Sequence, residues 1–326
     1  MPLHPNNKLL VDTLCALDNL AGRYEKIQLV NYDSVSDQKR GCFSLVFKAF
    51  DALMQKTVAL KFYDIGPANM NDKYRISAFA REHEILNSLI TVDRCLQLMS
   101  DLSSFNLECV LPTGDVITIA CSYFAVEWID QEIDGFFLSH NIINPIDKLR
   151  LFNEIVLSVE TLHKHDVFHR DLKADNLRSY TDALKRVVVA IDLGTAARFD
   201  SVQMLQNYGH HVGSPGYASP EALGGLTAHR EIAPFTDIYA LGCLLFELFN
   251  MDYFYRSVRA KNSTYDIIIG AIGTNVYQTV EGKKVHEWCV GLRKFSNGIQ
   301  VVKIAEPGST VPPGIINILD EILEAL

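Results

Sequence analysis

The sequence predicts an α+β protein of two lobes, a small antiparallel-sheet lobe carrying one helix and a larger helical lobe after it. Three observations carry that reading. Short strand-like runs separated by glycine and polar residues fill much of the chain up to residue 129. Beyond Trp128 the apolar periodicity lengthens to that of helices, with an amphipathic run at 147–165 and an intensely apolar one at 238–250. Between these helices lies a polar cluster, His169-Arg170-Asp171-Leu172-Lys173-Ala174-Asp175-Asn176, and sixteen residues after Asn176 comes Asp192-Leu193-Gly194. The expected division is an N-terminal helical extension over 1–23, a sheet lobe over 24–129 and a helical lobe over 130–326.

The elements follow in order. Residues 8–20 predict a short helix, because Leu10, Leu14 and Leu17 recur at three to four residues and Gly22 supplies a stop. It is expected to pack against the body, a partner-binding role being the alternative. Residues 26–32, 42–50 and 57–63 predict an antiparallel sheet with short turns. Residues 73–89 are helical by length and lack of breakers. Strand character returns at 108–111 and 116–127, around a Pro112-Thr113-Gly114-Asp115 turn. Pro312-Pro313 introduces a last amphipathic helix over 314–326, with Ile318, Ile322 and Leu326 at four-residue spacing. The sequence shows no internal repeat and no long linker composition.

Composition narrows the class. The 326 residues are 48% hydrophobic and 21% charged, ordinary for a globular protein and enough for two substantial cores. A net charge of −9 argues against a broadly basic footprint, so no nucleic-acid partner is expected. The seven cysteines, at 15, 42, 95, 109, 121, 243 and 289, form no C-x-x-C pair and no zinc spacing. Cys121 and Cys243 sit in apolar runs, where a buried reduced thiol is expected. With no signal-peptide pattern and no apolar segment long enough for a bilayer, the expected setting is cytoplasmic, without a membrane segment.

The polar cluster and the Asp192 segment place two carboxylates, a lysine and an asparagine around one small volume, the charge arrangement that phosphoryl transfer from Mg-ATP needs. Asp171 is the expected catalytic base or substrate-positioning carboxylate. Lys173 reaches the same side and can neutralise a migrating phosphoryl group. Asn176 offers an oxygen to a metal ion, and Asp192, fixed by the buried strand Val187-Val188-Val189-Ala190-Ile191, can hold Mg²⁺ between phosphate oxygens. Four solvated loop residues would be the bland alternative, against which stand four chemical roles filled in order.

Lys61 lies inside the apolar run Val58-Ala59-Leu60-Lys61-Phe62, so its ammonium must find a polar destination. Phosphate oxygens and an acidic partner both serve. Glu82, three residues before Ile85 on the following helix, is the expected partner, and Glu84, facing elsewhere, the runner-up. An edge-strand lysine with a solvated glutamate is the alternative. Lys39-Arg40-Gly41-Cys42-Phe43-Ser44-Leu45-Val46 is the weakest signal. A phosphate-cradling hairpin wants small residues, and here only Gly41 and Ser44 qualify; a plain hairpin turn writes the same letters.

These segments resemble the eukaryotic-type protein kinase superfamily, from about residue 27 to 250. His169 to Asn176 is similar to its catalytic loop. The resemblance implies a bilobal kinase-like fold, ATP and Mg²⁺ as cofactors, Asp171 accepting the substrate hydroxyl proton, Asn176 and Asp192 holding magnesium, and a Lys61–Glu82 ion pair marking the active state. It further implies Val46 and Ala59 capping adenine. Val126-Glu127-Trp128-Ile129 resembles the hinge, with backbone at Glu127 and Ile129 bonding the adenine edge and Val126 as a small gatekeeper. Gly213-Ser214-Pro215-Gly216-Tyr217-Ala218-Ser219-Pro220-Glu221 resembles the end of an activation segment, and Asp237-Ile238-Tyr239-Ala240-Leu241-Gly242 the start of the central buried helix, whose Asp237 would bond the catalytic-loop backbone. The stretch within 267–280 is similar to the helix and loop closing the larger lobe.

That activation segment implies a protein substrate, and Lys173 with Ser214 in the family's threonine position resembles serine/threonine rather than tyrosine kinases. Arg170 would receive an activation-loop phosphate, with Thr195, Ser201 and Tyr208 as candidate acceptors. Departures accompany the match. One glycine stands where three are usual, Leu193 replaces Phe, Ala174 replaces a common proline, and Gly224-Gly225 is expected to loosen the substrate-side loop. The family's arginine partner for Glu221 does not occur after Lys303, so either the chain is truncated at its C-terminal end or another group satisfies Glu221. The expectation is therefore an ATP- and Mg²⁺-dependent serine/threonine protein kinase, with a regulatory partner left open. The alternatives are a pseudokinase acting as a binding or scaffolding module and a small-molecule kinase.

Overall fold

The computed structural model describes residues 2–39, 44–110, 113–138, 143–199, 213–227, 229–250, 252–295, 298–300, 302–304 and 311–325. The chain divides into two compact units, Met1–Val92 with Leu96–Ile129, and Asp93–Cys95 with Asp130–Leu326.

In the first unit, helix α1 (Pro5–Ala16) starts and stops earlier than the leucine spacing predicted. Pro5 sits in the first turn, where no N–H is missed, and His4 caps the end by accepting the Asn6 N–H at 3.2 Å. Leu17 is already extended, because the chain leaves the helix to form β1 (Asn19–Leu20) against β2 (Tyr24–Leu29). β2 ends before residue 32. Its register shifts between Glu25 and Gln28, with Lys26 at φ 54°, and the chain then enters a small hairpin of β3 (Tyr32–Asp33) and β4 (Gln38–Lys39). There follow β5 (Ser44–Asp51), β6 (Lys56–Tyr63), a short α2 (Pro67–Met70), α3 (Lys73–Ser88), β7 (Ser103–Val110) and β8 (Val116–Glu127). The antiparallel sheet runs β1-β2-β5-β6-β8-β7. β7 begins well before 108; its first residues are polar and mostly exposed, which hides the strand from a hydrophobicity reading.

Alternation along the strands sorts side chains to two faces. Leu45, Phe47, Val58, Leu60, Phe62, Tyr123 and Ala125 bury one face together with Leu10 and Leu14 of α1. Phe62 stacks on Tyr123 at 4.7 Å and meets Phe47 edge-on at 5.5 Å. The two α1 leucines contribute about 3–6 kcal/mol of burial before chain entropy is subtracted. On the other face, α3 packs through Phe79 against Tyr63 (5.5 Å) and Phe124 (5.0 Å). Asp72 caps α3 by accepting the Tyr74 and Arg75 N–H groups.

The second unit holds β9 (Gln131–Glu132), α4 (Asp134–Leu138), α5 (Pro145–Lys164), β10 (Val167–Phe168), β11 (Leu177–Asp182), β12 (Lys185–Ala190), β13 (Ala197–Arg198), α6 (Pro220–Leu223), α7 (Ala233–Asn250), α8 (Phe254–Lys261), α9 (Tyr265–Gln278), α10 (Lys284–Phe295) and α11 (Pro313–Ala325). α5 buries Leu151, Phe152, Ile155, Val159 and Leu162 on one stripe, and α7 is buried almost all round. α7 starts ahead of residue 238 because Pro234 is accommodated in its first turn. The β11–β12 hairpin lies against α5, whose Ser158 hydroxyl accepts the Ala190 N–H at 3.1 Å. Cys109, Cys121 and Cys243 are buried free thiols and Cys95 is buried as well, while Cys15 and Cys289 are exposed; Cys42 lies outside the described residues. Among the described residues no helix is long and apolar enough to cross a membrane.

Candidate active site

In the first unit, register decides which side chains meet. Val46 pairs with Lys61 and Ala59 with Val126 across neighbouring strands. Ala59 and Lys61 are two residues apart, so all four point away from the face that holds α1. Lys61 Nζ lies 2.6 Å from Glu82 Oε1, both side chains nearly buried, whereas Glu84 is exposed. Glu82 sits on the α3 stripe with Ala78, Phe79, Ile85 and Leu86, which presents it to the sheet. Asn31, which the sequence reading passed over, holds the start of β5. Its amide donates to the Ser44 carbonyl (3.0 Å) and its oxygen accepts the Val46 N–H (2.9 Å). Gly41 lies outside the described residues. Val58 is the register partner of Glu127, whose N–H donates to the Gln97 carbonyl at 2.9 Å. Ile129 follows at the end of this unit.

In the second unit the loop after β10 is hung from α7. The Asp237 carboxylate, fully buried, accepts the Arg170 N–H at 2.7 Å and the His169 N–H at 2.8 Å, and His163 Nε2 lies 2.9 Å from it. Arg170 takes a left-handed φ of 63° to allow this. His169 Nε2 faces the Ile191 carbonyl at 2.9 Å, so that nitrogen carries the proton and Nδ1 is left to accept the Asp171 N–H at 3.3 Å. Asp171 is thereby fixed at its backbone and bound at both carboxylate oxygens. Oδ1 accepts the Ser214 N–H at 2.6 Å; Oδ2 lies 3.2 Å from the Asn176 amide and 3.6 Å from Lys173 Nζ, which also reaches the Ser214 hydroxyl at 2.9 Å. Gly213, at φ 99°, makes this closeness feasible, since a Cβ there would fall 2.4 Å from the Arg170 carbonyl oxygen. A small recess beside Asp171 is lined by Arg170, Ser214, Tyr217, Ala218 and Thr236.

Asn176 donates through its amide nitrogen to Asp171, and the Ile191 N–H bonds the Asn176 carbonyl at 2.8 Å, which stations Asp192 close by at φ 63°. Leu193 behind it is 1% exposed and keeps the packing role expected of it. Among the described residues no three His, Cys, Asp or Glu side chains cluster as a metal site. One amide oxygen and one carboxylate fit a hard divalent ion that takes its other ligands from phosphate and water, as Mg²⁺ does.

Several expectations change. Thr195 is buried and its hydroxyl donates to the His169 carbonyl at 3.0 Å, while Arg170 Nε donates to the Thr195 carbonyl at 2.8 Å, so this threonine packs the loop rather than facing a phosphoryl donor. Ser201 and Tyr208 lie outside the described residues. Glu221 is half-buried and accepts the Trp288 indole N–H at 3.4 Å, a partner from α10 in place of the expected arginine. Gly224 does not loosen its loop: a Cβ there would come within 2.8 Å of the Trp288 ring, so the glycine is what seats the tryptophan. No local pattern announces that partnership; only the fold brings residues 221 and 288 together.

Glu247 of α7 was also missed. Its Oε2 accepts the Tyr217 hydroxyl at 2.6 Å, and its Oε1 is buried with no hydrogen-bond partner among the described residues. Burial, with Asp175 and Asp252 adding, pushes this carboxyl up to about 7, against the opposing pull of the Tyr217 hydrogen bond. The folded chain then binds a proton that the unfolded chain, at the ordinary value of 4.5, has released. Stability from this group is full below 4.5 and is lost as pH rises through about 7, by on the order of 3 kcal/mol. Denaturant unfolding of the wild type and Glu247→Gln across this range should show a slope in the former that the latter lacks; equal slopes would refute the assignment.

The two α+β units and the loop hung from a buried helix belong to a known class, the protein kinase domains. The chain belongs to the protein kinase domain family, whose model matches residues 38–299. It is similar to CTD kinase subunit alpha of Schizosaccharomyces pombe, 26% identical over 260 residues, covering 79% of this chain and 38% of that protein. It is similar also to serine/threonine-protein kinase PrkC of Bacillus subtilis (26% over 231 residues, 70% of this chain and 30% of that one). Serine/threonine kinase NLK of Caenorhabditis elegans is 25% identical over 278 residues, 82% of this chain and 39% of that one. The matches thus span well under half the length of these relatives. ATP and Mg²⁺ are the family's general cofactors.

Proposed function

We propose that this chain is an ATP- and Mg²⁺-dependent protein kinase that transfers the γ-phosphoryl group to serine or threonine hydroxyls of a protein substrate. The observation that carries the reading is the Asp171 carboxylate, held by the Ser214 N–H at 2.6 Å and the Asn176 amide at 3.2 Å, with Lys173 bridging to the Ser214 hydroxyl. A carboxylate so restrained can receive a hydroxyl and take its proton. As the substrate oxygen bonds to the γ-phosphorus, the bond to the bridging oxygen breaks, ADP leaves, and the proton passes to Asp171. Lys173 offsets the charge on the moving group. Lys61, oriented by Glu82, offers its ammonium to the other phosphates, and Ser44 borders the phosphate-side turn. Val46, Ala59 and Val126 pack the adenine, the Glu127 carbonyl and the Ile129 backbone bond its edge, and Gly41 admits the phosphates. Asn176 and Asp192 would hold Mg²⁺, which when bound neutralises phosphate oxygens.

The Lys173–Ser214 bond supports hydroxyl acceptors on serine and threonine. A side chain suited to each required role favours catalysis over the pseudokinase alternative, and the buried free thiols fit a reducing, cytoplasmic setting. The test is transfer of labelled γ-phosphate to a generic protein substrate, followed by phosphoamino-acid analysis. Label on serine and threonine that vanishes on chelation of the metal is expected; label on tyrosine alone, or none, would overturn the reading.

A further inference from the structure

A buried polar node lies where α1 meets the end of β6, and nothing in the chemistry above uses it. Asp64 is 4% exposed and Asn7 of α1 is 2% exposed. Asp64 Oδ1 accepts the Asn7 amide at 2.6 Å and the Gly66 N–H at 2.9 Å; Oδ2 pairs with the Lys39 ammonium. Asn7 returns a second bond, its oxygen accepting the Ile65 N–H at 3.0 Å. Gly66 keeps the node closed, since a Cβ there would lie 3.1 Å from Asp64 Oδ1 and 3.7 Å from the Asn7 nitrogen. Burial alone would raise the Asp64 carboxyl; the bonds from Lys39 and Asn7 outweigh it and hold the group ionised below its ordinary range.

Two features set the node apart from ordinary fold glue. An apolar seam already joins α1 to the sheet through Leu10 and Leu14, so adhesion does not require a buried charge, which is costly unless fully paired. The charge is also placed with direction. Lys39 ends β4, five residues before Ser44 opens β5, while Asp64 directly follows the strand that carries Lys61. α1 itself lies outside the family match, which begins at residue 38.

We propose that α1, through Asn7 and Asp64, is a positioning element for nucleotide binding, fixing the ends of the strands that flank Ser44 and Lys61. The proposal rests on the reading of that face as an ATP site. Asn7, Asp64 and Lys39 are positioning residues.

The test measures MgATP binding to the full chain by calorimetry, with the thermal midpoint recorded alongside. Asn7→Ala and Lys39→Met are each expected to weaken binding by about tenfold, the size of one hydrogen bond to a charged group. The double variant should lose no more than either single one, because both open the same node. Lys39→Arg should stay within about twofold of wild type, since a guanidinium keeps the ion pair. Asp64→Asn, which keeps the shape of the node and removes its charge, reads the same point should Asn7→Ala fail to fold. Leu10→Ala should lower the midpoint and leave MgATP affinity of the folded chain unchanged. Binding within about twofold of wild type in both Asn7→Ala and Asp64→Asn overturns the proposal, as does an equal loss in Leu10→Ala. A wild-type chain that binds no MgATP overturns the ATP-site reading itself, and the proposal with it.

Discussion

Asp171→Ala is expected to lower turnover by about 10²–10⁴-fold while MgATP affinity stays within about threefold of wild type. The split follows from what the carboxylate touches. Its partners are the Asn176 amide and Lys173 of its own loop and the Ser214 N–H of the later segment at 213–221, whereas the lysine proposed for the nucleotide phosphates, Lys61, has its own partner in Glu82. Removing the carboxylate takes away the proton acceptor and frees Lys173 to turn toward Ser214 alone. Steady-state rates at saturating metal, with calorimetric MgATP binding beside them, decide the matter. Wild-type turnover by Asp171→Ala would rule out the role, and a collapse of nucleotide affinity matching the loss of rate would assign Asp171 to binding instead.

Asp237→Ala is expected to be the most destabilising polar change in the second unit. The carboxylate is fully buried and accepts two backbone N–H groups of the catalytic loop, at 2.7 and 2.8 Å. Alanine leaves both donors buried without an acceptor, at about 1–3 kcal/mol each, so a loss of about 2–6 kcal/mol is expected. Turnover should fall as well, even in molecules that remain folded. Arg170 holds its left-handed backbone only because Asp237 grips the N–H groups around it, and a shift of about 1 Å in Asp171 is enough for a loss on the order of 10²-fold. Asp237→Asn keeps one acceptor oxygen and should fall between the two. Urea unfolding and rates per folded molecule measure both effects; a variant as stable and as fast as wild type would show that the loop holds itself.

The local geometry of the candidate site was legible because it is written in short segments. His169 to Asn176 and Asp192 are fixed by local spacing, and Glu82 could be preferred over Glu84 from helical periodicity alone, which agrees with where the two side chains lie. What escaped depends on residues distant in the chain. Asn31 binds the start of β5 through its side chain, Trp288 reaches Glu221 from another helix, and Glu247 meets Tyr217 across the core. No periodicity encodes such meetings. Helix starts came out late where apolar spacing alone set them: Pro5 and Pro234 both sit inside the first turns of helices that begin earlier than that spacing indicated. Gly224 has a role that its letter did not announce, since missing bulk can make room for a ring.

The placement of Leu10 and Leu14 bears on where this molecule can be divided. The family match begins at residue 38, but the core of the first unit begins upstream of it, because both leucines plug the same apolar interior as Phe47 and Phe62. A cut guided by alignment would split one core between two pieces, leaving an open greasy slot on the larger and an amphipathic peptide with nothing to fold against on the smaller.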